Sequence, residues 1–362
     1  MANNLPGSRA DTRTVTLIGQ AASGKTHMIA ALLINKPVHD LTLGEPGLVN
    51  PRISPVGATD SEEEERKWHL LNRHFNSMFL GRESDIEATQ DVTDYSFSIS
   101  WDGVNGPKKA SRIAWLLPRQ RLSPRRPEPG AQVPIRLIDG RGGDLAYDEF
   151  LESAQDPRIA ERRTAYRDAL RQAGGVVICH GLTAGDYQQQ NMASLQLNID
   201  ATLESNGRDK KLPLKYIAIC LTKYEALFPA HGANAAAAAT DREAFIRRIK
   251  RLGLDRLFGN VLTSGGGVQV RVFPVSTYGF VDGHGSANYY PWKGAPGLLT
   301  RAIDEADYDD PDLPGLRDHY PVPISQAMAM ARWQPFNLAP PLLFAATGRI
   351  TGPLSVGAEE LV

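Results

Sequence analysis

Eight consecutive residues, Gly19-Gln20-Ala21-Ala22-Ser23-Gly24-Lys25-Thr26, follow the spacing G-x-x-x-x-G-K-T. Two glycines let a backbone curl until several N–H groups converge on phosphate oxygens, and a helix starting behind them adds its positive end. Lys25 is expected to reach the β- and γ-phosphates, and the Thr26 hydroxyl to ligate Mg²⁺. Gly19, Ala22, Ser23, Gly24 and His27 complete the expected cradle.

Two further landmarks carry chemistry. The mostly apolar run Val133–Ile138 ends in Asp139, and Asp139-Gly140-Arg141-Gly142 reads D-x-x-G. A carboxylate at a strand tip beside a phosphate loop can hold Mg²⁺ or its water shell, and the Gly142 N–H can meet a γ-phosphate. The same residues would also serve as a plain strand-end turn. The apolar run Leu214–Leu221 leads into Thr222-Lys223-Tyr224-Glu225, and Val268–Val275 leads into Ser276-Thr277.

These residues must be positioned by alternating strands and helices. Thr14–Ile18 is a buried strand, and Met28, Ile29, Leu32 and Leu33 put an apolar face on a helix over Lys25–Asn35 that Pro37 ends. Val38–Thr59 reads as a loop. Ser61 followed by four glutamates starts a helix carrying Trp68, Leu71, Phe75 and Phe79. Tyr95–Trp101 alternates as a half-buried strand, and Ser111–Leu117 suggests another. Helices are expected over Leu145–Ala173, Asp186–Asn206 and Asp241–Leu252, the last capped by Thr240, with strands at Val176–Cys179, Leu214–Leu221 and Val268–Val275. Tyr278–Tyr320 reads as irregular, and Leu342–Thr347 as a closing helix. The expected fold is α/β, a doubly wound, mostly parallel sheet flanked by helices. It would form one domain over residues 13–350, with insertions near 38–80, 101–132 and 278–320 and flexible ends at 1–12 and 351–362.

Composition narrows the function classes. A net charge of -1 gives no global attraction to nucleic acid, and the arginines of Arg119–Gly130 lack interleaved aromatics, so no nucleic-acid partner is expected. Cys179 and Cys220 sit in apolar runs and read as two buried thiols, suited to a reducing cytoplasm. Met1–Asp11 lacks an apolar leader core and no window is long and apolar enough to span a bilayer, so a cytoplasmic protein is expected.

The order of phosphate loop, D-x-x-G, T-K-x-E and V-S-T resembles the Ras-like small-GTPase domain of the translation-factor-related class. In layout, including Pro335-Phe336-Asn337-Leu338 and Pro341, it looks most like the bacterial double-GTPases of predicted conflict and defence operons. The resemblance implies GTP/GDP as ligand, Mg²⁺ as cofactor, and an effector or activating protein as partner. It makes Gly19, Gly24, Lys25 and Thr26 phosphate and metal residues, and Asp139 and Gly142 parts of the second switch. Thr222 and Lys223 would flank guanine, Glu225 would accept from its N1 and exocyclic amine, and Ser276 and Thr277 would back the base. The family has aspartate where this chain has Glu225, and a water-orienting glutamine where it has Gly143. Slow turnover follows, with Arg141 as a charge donor in cis or a partner supplying the missing stabilisation. Thr89, with Thr93 as the alternative, is the expected first-switch threonine. Two other readings remain open: a phosphate-loop ATPase of another class, and a nucleotide-binding scaffold that hardly hydrolyses.

Overall fold

The computed structural model describes residues 13–19, 23–34, 49–55, 62–80, 93–102, 132–139, 157–182, 188–204, 214–258, 267–281, 333–352 and 354–361, with a few positions between 285 and 317. Strands β1 (Arg13–Gly19), β2 (Val49–Pro55), β3 (Thr93–Asp102), β4 (Gln132–Asp139), β5 (Gly175–Gly181), β6 (Tyr216–Thr222) and β7 (Gln269–Pro274) join one sheet with β12 (Val356–Gly357). Its order is β12-β7-β6-β5-β1-β4-β3-β2. The five strands β7, β6, β5, β1 and β4 run parallel, whereas β12, β3 and β2 pair antiparallel. The fold is therefore α/β with a mostly parallel central sheet, as the strand–helix alternation predicts.

Apolar residues on both faces of the central strands require a helical layer on each side. On one face Val15, Leu17, Val177, Cys179, Ala218 and Cys220 pack under α1 (Lys25–Ile34) and α7 (Pro340–Thr347), with Leu71 of α2 (Glu62–Leu80) in the same cluster. On the other, Ile18, Val176, Ile178, Ile217 and Ile219 meet α3 (Pro157–Gln172), α4 (Gln188–Glu204) and α6 (Arg242–Arg251). Each fully buried Val, Leu or Ile among them contributes about 1.5–3 kcal/mol. Specific bonds fix α3 on β1: the Tyr166 hydroxyl donates to the Leu17 carbonyl at 3.0 Å and the Thr16 hydroxyl to the Ala169 carbonyl at 3.2 Å. Both cysteines are buried free thiols, in register across β5 and β6.

Several elements differ from expectation. The supposed loop at Val38–Thr59 contains β2, whose two prolines are tolerated because an edge strand pairs on one side only. Asp241, not Thr240, caps α6: in extended backbone its side chain accepts from the Ala244 N–H at 3.0 Å. Thr240 instead donates to the Ala237 carbonyl, closing the short helix α5 (Ala235–Ala239) before it. The stretch expected to be irregular from Tyr278 begins inside β8 (Ser276–Val281), which pairs antiparallel with β11 (Trp333–Phe336), and it holds β9 (Tyr290–Pro291) and β10 (Pro296–Gly297), which form a separate pair. Residues 351–362, expected to be a free tail, contain β12, and Leu354, Val356, Ala358 and Leu361 are buried. Glu360 holds that end by pairing with Arg242, with Arg271 at 3.3 Å, and with the Gly357 N–H at 2.7 Å. The expected helix start at Leu145, the strand at Ser111–Leu117 and the flexible ends at 1–12 lie outside the described residues. Among the described residues, no helix is long and apolar enough to cross a membrane.

Candidate functional site

The parallel strands deliver their C-terminal tips to one edge. Gly19 pairs with Cys179, Gly181 with Thr222, and Leu221 with Pro274. β1 lies between β4 and β5, with β4, β3 and β2 filling the sheet on one side and β5, β6 and β7 on the other, so the order of strands reverses at β1, where open α/β sheets bind ligands.

At that reversal, Gly19 turns the chain against the neighbouring strand. A Cβ there would collide with the Cys179 carbonyl oxygen, so the close approach admits glycine alone. Gly24 has φ +82, a conformation that costs an L side chain energy, and α1 begins at the next residue. Lys25 is buried, and its ammonium donates to the Gly19 carbonyl at 2.9 Å and lies 3.4 Å from Ser23 Oγ. Its charge is thus folded back over the loop, the position from which it can meet an anion. Thr26 and His27 are half-buried in the first turn of α1. Ala22 lies outside the described residues.

Thr222 joins two landmarks that are 199 residues apart. Its hydroxyl donates to the Ser23 carbonyl at 2.6 Å, with the His180 carbonyl at 3.2 Å as a second acceptor. Lys223 then takes a left-handed conformation, φ 59 and ψ 33, which is costly for a non-glycine residue and turns the chain into the 3₁₀ turn Tyr224–Leu227. What over-determines that turn is Tyr224. Its ring is buried between Phe228, Phe245 and Phe336 at 5.0, 5.7 and 6.1 Å, and its N–H donates to the Val275 carbonyl at 3.2 Å.

Glu225 is thereby carried inside, 2% exposed. Ser276, fully buried at the start of β8, hydrogen-bonds the carboxyl group and accepts from the Gly279 N–H at 2.6 Å. Glu225 Oε2 has no hydrogen-bond partner among the described residues. Burial pushes the Glu225 pKa up to about 7, against the opposing pulls of Ser276, a backbone N–H and the Lys223 charge. A buried carboxyl oxygen without a donor is costly, and a ligand presenting N–H groups would relieve it. Thr277 follows, half-buried on β8.

Of the remaining predicted residues, Asp139 ends β4 in register with Leu17 of β1 and Thr93 of β3. A threonine hydroxyl at the start of α1 and a carboxylate residue at the tip of the adjacent strand are hard oxygen donors, the chemistry Mg²⁺ takes. Arg141, Gly142 and Thr89 lie outside the described residues.

Two residues were given no structural role by the sequence reading, Asn337 entering it only as part of the motif Pro335-Phe336-Asn337-Leu338. His180, at the end of an otherwise apolar strand, is buried, its pKa is lowered by that burial to about 4, and its carbonyl shares the Thr222 hydroxyl. Its signal was a polar residue closing the apolar run Val176–Cys179. Asn337, with φ 60, donates to the Pro274 carbonyl at 2.9 Å and the Leu354 carbonyl at 2.7 Å, holding the segment that enters Ser276. Its signal was an asparagine between Pro335 and Pro340, a setting that suits the left-handed conformation.

No protein-family model matches the chain, and no curated protein matches it.

Proposed function

We propose that this chain is a Mg-dependent, GTP-binding and GTP-hydrolysing switch with slow intrinsic turnover that controls a partner protein. The observation that carries the reading is the Thr222–Ser23 hydrogen bond: it ties the loop after β1 to the turn that buries Glu225, whose second oxygen lacks a donor among the described residues. Phosphate-binding and base-binding chemistry thus share one sheet edge.

In this reading the loop N–H groups and Lys25 hold the phosphates, and Lys25 offsets charge on the β- and γ-oxygens as the γ-phosphoryl group transfers to water. Thr26 and Asp139 would hold Mg²⁺, which when bound would neutralise phosphate charge. Glu225 accepts from guanine N1–H and the exocyclic amine, while Ser276 orients the carboxylate and Thr277 stands beside it. With Gly143 in place of a glutamine, no side chain there orients the attacking water, so hydrolysis is slow unless Arg141 or a partner adds positive charge. Ordering of the D-x-x-G segment and of the region near Thr89 by the γ-phosphate would transmit the bound state to the partner.

The second reading, an ATPase of another class, is favoured by the near-neutral pKa of Glu225, because a protonated carboxyl loses the double acceptor that guanine needs. Binding of labelled GTP, GDP, ATP and ADP with Mg²⁺ at pH 8 separates the two. Guanine nucleotides are expected to win, Glu225→Ala to erase that preference, and Lys25→Ala to abolish tight binding of either base. Adenine preference in the wild type refutes the GTP reading.

A further inference from the structure

The carboxyl group of Glu225 combines three features that a simple acceptor does not need: burial to 2% exposure, one oxygen without a donor among the described residues, and a single neighbouring hydroxyl, Ser276, as its side-chain partner. We propose that Glu225 is a proton switch on base choice, taking a guanine edge when ionised and a 2-oxopurine edge when neutral. The inference rests on the guanine reading of the site and adds its regulation.

Hydrogen-bond chemistry distinguishes the two states. An ionised carboxylate offers acceptors only, which matches the adjacent N1–H and exocyclic N–H donors of guanine. A protonated carboxyl offers one O–H donor and one acceptor, which matches the N1–H and C2 carbonyl of xanthine. Each mismatched combination leaves a buried polar group unpaired, the kind of penalty from which polar sites draw their selectivity. The groups acting on Glu225 are few among the described residues. Lys223, on the same turn, is the charge that favours the carboxylate; β8 contributes the Ser276 hydroxyl, and the adjoining Tyr224 phenol is held neutral by burial. Desolvation outweighs these pulls, which places the titration near neutral pH, where a shift of one pH unit changes the population of either form severalfold.

Linkage fixes the size of the effect. With a free-protein pKa of about 7, GDP affinity falls about tenfold between pH 8 and pH 6, because binding must expel a proton. XDP affinity rises by a similar factor over the same range, so the GDP/XDP affinity ratio drops about a hundredfold. The two nucleotides share their phosphate groups, and phosphate titration cancels in the ratio.

The test is GDP and XDP binding to the full chain with Mg²⁺ at half-unit steps from pH 6 to pH 8.5, for the wild type and Glu225→Gln. The amide permanently offers one donor and one acceptor, so the variant is expected to prefer XDP with a ratio nearly independent of pH. A variant ratio that tracks the wild type assigns the pH effect to the xanthine base itself and overturns the proposal. A second measurement needs no variant: calorimetry of GDP binding at pH 7 in buffers of different ionisation enthalpy, where release of about half a proton is expected. Guanine preference with no proton release and a flat ratio overturns the switch but leaves the GTP reading standing. Adenine preference, or no nucleotide binding at any pH, overturns both.

Discussion

Replacing Thr222 by valine removes one hydroxyl and leaves the shape of the side chain. That hydroxyl is 2% exposed as part of its residue, lies 2.6 Å from the Ser23 carbonyl, and has the His180 carbonyl at 3.2 Å. Ser23 itself is 1% exposed, so water does not readily replace the lost donor. Leaving a buried carbonyl unsatisfied costs about 1–3 kcal/mol, and because valine fills the same volume little of this is a cavity effect. Urea denaturation of Thr222→Val should therefore show a loss of that size at an unchanged m-value. The bond also holds the loop that carries Lys25. If loosening it takes about 1–2 kcal/mol from nucleotide binding, affinity for Mg-GDP falls about five- to thirtyfold. Thr222→Ser keeps the hydroxyl and should recover most of both losses. A valine variant that matches the wild type in midpoint and affinity refutes the clamp. So does a serine variant as impaired as the valine one.

Gly19→Ala places a Cβ against the Cys179 carbonyl, a backbone atom that cannot swing away. Nucleotide binding should be lost and the melting temperature lowered, by strain on the order of 1–3 kcal/mol; unimpaired binding by fluorescence titration refutes the close approach. Stability against pH offers an independent check on the buried acid. Glu225, raised from 4.5 to about 7, contributes stability that is full below 4.5 and lost as the pH climbs through 7. His180, lowered from 6.5 to about 4, contributes in the opposite sense: its stability is full above 6.5 and lost as the pH falls toward 4. Between pH 4.5 and 6.5 the two nearly cancel. Glu225→Gln should therefore gain about 3 kcal/mol over the wild type at pH 8, lose that gain near pH 4.5, and show stability rising with pH across the acid window. Parallel curves for the two proteins refute the buried, proton-binding carboxyl.

The legibility of the sequence followed the range of the interaction involved. β1 and α1 were readable because an apolar strand, a glycine-bounded loop and a proline stop act within one or two turns of chain. β5 and β6 were readable because strands buried on both faces need uninterrupted apolar runs, so Gly175–Gly181 and Tyr216–Thr222 left little alternative. Edge elements were not readable in this way. β2 carries two prolines and β12 is two residues long, and each exists through a partner strand distant in sequence. Asp241 and Thr240 compete for the same cap by sequence alone, and backbone geometry decides for Asp241.

The site divides along the same line. Residue types and spacing were enough to expect a phosphate loop at Gly19, Gly24, Lys25 and Thr26 and to see that T-K-Y-E closes a buried strand, since those features depend on local backbone chemistry. Only the tertiary structure decided that Thr222 bonds to Ser23, that Asn337 holds the entry to Ser276, and that Glu225 is buried with one oxygen lacking a donor among the described residues. The last point turns on solvent. A glutamate in sequence is an exposed anion by default, and its pKa departs from that value only when neighbouring chain segments remove the water around it.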